Sequence, residues 1–462
     1  MKPRKISRRE FIKQANCAAV GSISLFSSLL TLRLTAGAVS GGPIIGNKAL
    51  VCLFLSGGND SYNMLVPRQQ AAYDEYAAVR TTLALPQIDL LPITSTGQNY
   101  SEFGIHPNLP FLKTLYDQGK AAFVSNVGTL IEPITLAQYN AGTKPLPSGL
   151  FSHADEEVHW QTIVPQTRGA GPKGWAGRVA DCMASANASS SLAMNISLSG
   201  SNVLQTGLSS VPYITDPNGA VQLTEYGADP ASQLAIDSFL SQQYKNLYQK
   251  TLSTSNRKAI DTATAFENAV SPITLTENFP STSTGRRLET IAKVMAARGT
   301  LGMNRQIFFI KKGGWDHHNE VLAPQVDLFT QLNDAIEAFW TEMGHLGMQD
   351  EVVLFTASDF GRTLTSNGTG SDHAWGGNHF ILGGDVNGGK IYGEYPELAA
   401  GGSLDIGRGR LLPTTSIDAY CAEIASWFGV PPSELSTVFP NADNFFNPLT
   451  SPYPLGILEP SI

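Results

Sequence analysis

Three apolar runs of strand length constrain this chain more than any other feature: Ala49–Leu55, Ile307–Ile310 and Val352–Thr356. The first is continuously apolar, as in a parallel strand covered on both faces. Each run leads into a loop with a carboxylate. The first is followed by Ser56-Gly57-Gly58-Asn59-Asp60. The second leads to Gly313-Gly314-Trp315-Asp316-His317-His318, and the third to Ala357-Ser358-Asp359-Phe360-Gly361-Arg362. Paired glycines let a backbone turn sharply and approach a ligand. Five of the eight histidines fall between Ile307 and His379, among them His317, His318, His373 and His379. Strand ends that deliver Asp and His into one crevice are how an open α/β sheet builds a metal site.

The rest of the chain fits such a sheet. Ala71–Arg80 and the stretch from His106 to Gly119 read as helices, with Ala121–Val127 as the next strand. A helix opens at Gly174, and residues 191–225 are rich in strands and turns. Helical periodicity marks Ser238–Gln249 and Arg286–Ala297, and Ser416–Phe428 reads as a late helix. A chain of 462 residues can bury a large core, and the expectation is one domain over residues 39–462.

The first 38 residues read as an export signal. Ser7-Arg8-Arg9-Glu10-Phe11-Ile12-Lys13 matches the twin-arginine signature. A moderately apolar stretch from about Cys17 to Leu32 and the small-x-small site Ala36-Gly37-Ala38 follow. Interruption by Gly and Ser favours a cleaved signal over an anchor, and no later run approaches a membrane span. The expected location is periplasmic or otherwise extracytoplasmic, with the twin-arginine machinery as a partner. The signal holds seven basic residues against Glu10, so removing its +6 from the formal −8 leaves −14. That acidity argues against bulk attraction to nucleic-acid phosphates. Of Cys17, Cys52, Cys182 and Cys421, the first leaves with the signal, so at most one disulfide can form. No CxxC, Walker A, G-x-S-x-G, H-E-x-x-H or dinucleotide fingerprint is present.

Carboxylates and imidazoles are ligands for hard and borderline divalent metals. Asp316 and His318, one residue apart, can share one side of an extended segment. With Asp60, Asp359, Asp372, His373 and His379 they make a set large enough for two ions, which would polarise an ester and activate a hydroxyl or water. Each piece also has a structural reading: Asp316 as a turn residue, Asp359 paired with Arg362, Asp372–His373 as a loop pair. Ser152 reads either as a nucleophile facing free backbone amides or as a helix N-cap.

Several segments taken together resemble the exported bacterial proteins of domain-of-unknown-function family 1501. They are the twin-arginine start, Leu55 to Asn63, His106-Pro107, Ser152-His153, Gly174 to Arg178, Gly314 to His318, Asp359 to Arg362, Asp372-His373, and Gly383-Gly384 with Gly388-Gly389. The resemblance spans roughly residues 45–450. That family is similar to the alkaline phosphatase, sulfatase and phosphoglycerate mutase superfamily. This implies a three-layer α/β/α sandwich with a mostly parallel central sheet and a two-metal site of zinc, manganese or calcium. Carried over by residue, Asp60 resembles the metal Asp of the first strand, and Asp316 and His318 the Asp/His pair of one metal. Asp359 resembles the Asp of a strand-end Asp-His pair, but Phe360 stands where that His belongs, leaving His373 or His379 to supply the imidazole. Ser152 resembles the nucleophile, with Ser61 a weaker choice, and Arg362 is placed to steady an anion. The Cys/Ser-x-Pro-x-Arg signature of formylglycine sulfatases is absent. The implied function is metal-dependent hydrolysis of phosphate or sulfate esters, on a small or polymeric anionic substrate. The alternative is a non-catalytic envelope protein that keeps the fold and binds a surface polymer or protein partner.

Overall fold

The computed structural model describes residues 4–6 and 46–460, apart from positions 169–172, 188–189, 191, 218, 220, 224–225 and 228. The expected export signal therefore lies outside the described residues, except Arg4–Ile6, a short strand running parallel to Val221–Leu223.

A nine-stranded sheet carries the architecture. Its strands are β1 (Lys48–Leu55), β2 (Ala121–Gly128), β3 (Asn195–Ser197), β4 (Tyr213–Ile214), β5 (Arg305–Lys312), β6 (Val352–Ser358), β7 (Gly377–Gly383), β8 (Ile391–Tyr392) and β9 (Thr415–Ser416). The order is β8-β2-β7-β6-β1-β5-β3-β4, with β9 also beside β2. All pairings are parallel except those of β7, which runs antiparallel to both β6 and β2. The three apolar runs of the sequence are the three adjacent central strands, with Leu50 opposite Ile307 on one side and Val353 on the other.

Both sheet faces are covered, which is why the middles of those strands are apolar. Val51, Leu53, Phe308, Ile310 and Leu354 point to one core. Helices α1 (Gln70–Arg80), α2 (Pro110–Asp117), α5 (Ser283–Ala296) and α6 (Leu322–His345) pack there. Leu50, Cys52, Phe54, Ile307, Phe309 and Phe355 point to the other, under α3 (His153–Thr162), α4 (Trp175–Cys182) and α7 (Ile417–Phe428). The result is the three-layer α/β/α arrangement. Along α6 the buried residues Leu328, Leu332, Ala335, Ile336, Phe339 and Met343 recur at three- and four-residue steps, one apolar stripe laid on the sheet. Ser416 starts α7 by accepting from the Ala419 amide at 3.1 Å, and Gly429 ends it at φ 118°.

One expectation fails. Ser238–Gln249 is not one continuous helix: residues 241–246 break it between helices Pro230–Leu240 and Leu247–Val270. Asn246 accepts from the Gln249 amide at 3.2 Å, a capping bond that starts the second helix where periodicity continued through. Cys52, Cys182 and Cys421 are all buried free thiols. Among the described residues no helix is long and apolar enough to cross a membrane.

Candidate metal centre

Parallel strands β1, β5 and β6 end side by side, with Leu55 opposite both Lys312 and Ser358. Their three following loops therefore crowd one edge of the sheet. The crowding fixes residue types: at Gly57, φ 118°, an added Cβ would sit 2.5 Å from the Asp316 amide nitrogen. Because β7 is antiparallel, it starts at the same edge. The hairpin before it, Arg362–Ser366 paired with Ser371–His373, brings His373 there. The first turn of α3 reaches the edge from the second helical layer.

Four side chains converge at this edge. His153, Asp316, His318 and His373 each offer one donor atom, and these atoms lie within 4.8 Å of one another. Asp316 Oδ1 is 3.4 Å from His153 Nε2, 3.1 Å from His318 Nε2 and 3.7 Å from His373 Nε2. His318 Nε2 and His373 Nε2 are 2.8 Å apart. A tetrahedral ion with arms of about 2.0–2.1 Å has donor-to-donor edges of roughly 3.3 Å, and these spacings straddle that value.

The far side of every imidazole is tied down. His153 Nδ1 meets Asp359 Oδ2 at 2.6 Å, His318 Nδ1 meets Asp372 Oδ1 at 3.3 Å, and His373 Nδ1 donates to the Phe151 carbonyl at 2.7 Å. An acceptor at Nδ1 places the proton there and leaves the Nε2 lone pair free, the arrangement found behind metal-bound histidines. Asp359 is itself held by the Gly57 amide at 3.2 Å. Asp372 is held by Arg408 and by Asn367 at 2.9 Å.

The electrostatics match a cation site. Burial pushes the Asp316 carboxyl up, but Arg362, His153 and His318 outweigh it and hold the group below its ordinary range. The Asn367 hydrogen bond, with Arg408 and His318, brings Asp372 down to about 2 against the opposing effect of burial. The hydrogen bond to Asp359 raises His153 despite its partial burial. Burial lowers His373, and the neighbouring His153, Arg362 and His318 push the same way. A carboxylate and three imidazoles with inward lone pairs fit a divalent metal.

The other expected site residues lie in other roles. Arg362 is fully buried, and its guanidinium donates to the carbonyls of Gly57, Gly58 and Ser371 as well as to Asp316. It clamps the strand-end loops together. Asp60 is fully buried and ion-paired with Arg80 at 2.5 Å. His379 is a core residue between Trp160 and Tyr420, driven down to about 3 by burial. Ser152 caps α3, accepting from the Asp155 amide at 3.4 Å. Ser61 Oγ accepts from the Asn378 amide at 2.7 Å. Where two ions were expected, one converging group of three or more His, Cys, Asp or Glu donors exists among the described residues.

His153 is the member that sequence reasoning did not single out. Its only local signal is its place directly after the capping Ser152. It takes the place beside Asp359 that Phe360 leaves without an imidazole. The Phe360 ring instead packs on His153 and His373, with centroids 4.7 and 4.5 Å away.

Known structures with some likeness include a sulfatase, PsFucS1, from Pseudoalteromonas sp. It shares 9% identity over 84% of this chain and 69% of its own, with a TM-score of 0.33. The C-terminal periplasmic domain of EcEptC from Escherichia coli, in complex with Zn, shares 10% over 74% of each chain at 0.31. The phosphonate monoester hydrolase SpPMH from Silicibacter pomeroyi shares 8% over 83% of this chain and 73% of its own, also at 0.31. Likenesses this loose carry no argument about the chemistry of this chain. No curated protein matches the sequence. Residues 47–403 match the family described as protein of unknown function (DUF1501), and the chain belongs to that family.

Proposed function

We propose that this protein is a metal-dependent hydrolase of phosphate or sulfate esters, built on one zinc-type ion held by His153, Asp316, His318 and His373. The observation that carries the reading is the orientation of three histidines, each with Nδ1 bound to an acceptor and Nε2 turned to a common point. Three nitrogens and one carboxylate favour zinc over calcium, which takes six to eight oxygens, and over manganese. Bound there, the ion would supply Lewis acidity and would activate a water for attack on the ester. Asp359 and Asp372 fix the rings of His153 and His318 and hold their protons at Nδ1. Arg362 fixes Asp316. Phe360 walls one side of the site and excludes water from the rings it covers. The reading gives the attacking oxygen to a water and not to Ser152, whose hydroxyl oxygen faces the Asp155 amide. The twin-arginine signature supports export and action outside the cytoplasm.

A specific observation favours the alternative of a non-catalytic envelope protein. Four protein donors can close a tetrahedral shell, as structural zinc sites do, whereas catalytic sites keep one position open. The experiment that separates the two is elemental analysis of chelator-free protein, followed by p-nitrophenyl phosphate and sulfate assays of the zinc-loaded form. About one equivalent of zinc with ester turnover that disappears in His318→Ala supports the hydrolase. Zinc without turnover supports the envelope-protein reading, and a folded protein without metal removes both metal readings.

A further inference from the structure

Behind His373 runs a closed circuit of hydrogen bonds that the donor set does not account for. His373 Nδ1 donates to the Phe151 carbonyl at 2.7 Å. The amide of the same Phe151 donates to Glu156 Oε1 at 2.8 Å. Thr129 Oγ1 donates to Glu156 Oε2 at 3.2 Å. Trp375 Nε1 then donates to the Thr129 carbonyl at 2.8 Å and reaches its hydroxyl at 3.2 Å. Trp375 lies two residues beyond His373, so the circuit begins and ends on one short segment.

Phe151 is the member that needs holding. Its φ is +69°, a conformation that bulky residues rarely adopt and that persists only where surrounding structure enforces it. It is gripped from two sides. Glu156, only 1% exposed, holds its amide from within. From without, the Arg410 guanidinium sits 4.6 Å from the centre of its ring, while Arg410 Nε donates to the His373 carbonyl at 2.9 Å. The peptide so fixed presents the carbonyl that sets the tautomer and angle of His373.

We infer that Glu156 is a positioning residue for His373, acting through the Phe151 peptide. The inference rests on the metal-centre reading above. Glu156 lies one helical turn after His153. The first turn of α3 thus carries one ligand directly and orients a second through the loop that precedes it. Burial raises the Glu156 carboxyl to about 8, against the pull of the Phe151 amide and the Thr129 hydroxyl. One carboxyl oxygen accepts from the Phe151 amide and the other from the Thr129 hydroxyl. Glutamine keeps the acceptor for Phe151 and meets Thr129 Oγ1 with its amide N–H, and alanine makes neither contact.

The test measures zinc affinity of the full chain by competition with a chromophoric chelator, for the parent, E156A and E156Q, with circular dichroism as the check on folding. Loss of a group that orients a metal-bound histidine costs about 10- to 100-fold in affinity, which is the result expected for E156A, with E156Q within about threefold of the parent. A folded E156A that binds as tightly as the parent overturns the inference, and so does an E156Q as weak as E156A. If E156A does not fold, Thr129→Val takes its place: a severalfold loss supports the circuit and unchanged affinity overturns it. A parent that binds no zinc defeats the metal reading instead. Nitrogen-15 NMR of metal-free protein then decides: the Nδ1-protonated His373 tautomer is lost in E156A if Glu156 positions it and kept if it does not.

Discussion

The Nε2 atoms of His318 and His373 stand 2.8 Å apart, yet in the neutral rings neither has a proton to give the other. Each ring has committed its proton to the opposite side, His318 to Asp372 and His373 to the Phe151 carbonyl. Two lone pairs this close repel unless something electron-poor lies between them. Burial and its positive neighbours keep His373 from taking up a proton readily, which favours a metal ion.

Asp359→Asn tests the support behind His153. The substitution removes the charge at 2.6 Å from Nδ1 while keeping the shape of the side chain. Zinc affinity should fall by about 10- to 100-fold with little change in thermal stability, as read by chelator competition and calorimetry. Unchanged affinity would remove His153 from the donor set.

Arg362→Lys tests the clamp. A lysine cannot reach the carbonyls of Gly57, Gly58 and Ser371 together with Asp316, so buried acceptors are left without donors. A loss of about 3–5 kcal/mol in urea unfolding is expected, accompanied by weaker metal binding. A loss of metal binding at unchanged stability would instead mark Arg362 as a functional group.

Gly57→Ala should be severe for so small a change. The new methyl meets the Asp316 amide nitrogen at 2.5 Å and the Trp315 carbonyl carbon at 2.9 Å, in a backbone at φ 118°. Displacing that loop should cost about 1–3 kcal/mol and weaken zinc binding, since Asp316 and His318 ride on it. A variant with parental stability and affinity would show that the loop is free to shift.

His379 makes an acid-side prediction. Its folded-state pKa, about 3, lies below the ordinary 6.5, so the unfolded chain binds the extra proton first. Its contribution is present above about pH 6.5 and is lost as pH falls towards 3, a difference of roughly 3 kcal/mol by pH 4. In His379→Leu the stability gap to the parent should therefore narrow by about that amount between pH 7 and pH 4, measured by urea titration at each pH. A constant gap would mean that the ring is not held neutral.

Much of the framework is legible in the sequence for a plain physical reason. A strand covered on both faces is apolar through its middle, so β1, β5 and β6 announce themselves as apolar runs, and the carboxylates after them are obvious. Asp316, His318 and Asp359 come to the crowded edge for that reason, while Asp372 and His373 arrive there on the hairpin before β7. Asp60 has the same kind of address and His379 lies inside β7, but their neighbours decide their roles: an arginine from α1 meets one, and two aromatic rings enclose the other. His153 could not be found this way because its position follows from where a helix in another layer lands. The Arg362 clamp is equally a matter of partners, since nothing local says that a guanidinium will face four carbonyls.

Phe151 and His373, joined by one hydrogen bond, are 222 positions apart. The donors around them come from a helix start, a strand-end loop and a hairpin that are strangers along the chain. In a zinc finger the ligands sit within one short segment, and the ion can template folding. Here nothing exists to grip an ion until the sheet is closed. Metal capture at this site would therefore be the last event in the making of the molecule. An ion held there would record the cellular compartment in which folding was completed, wherever the protein then works.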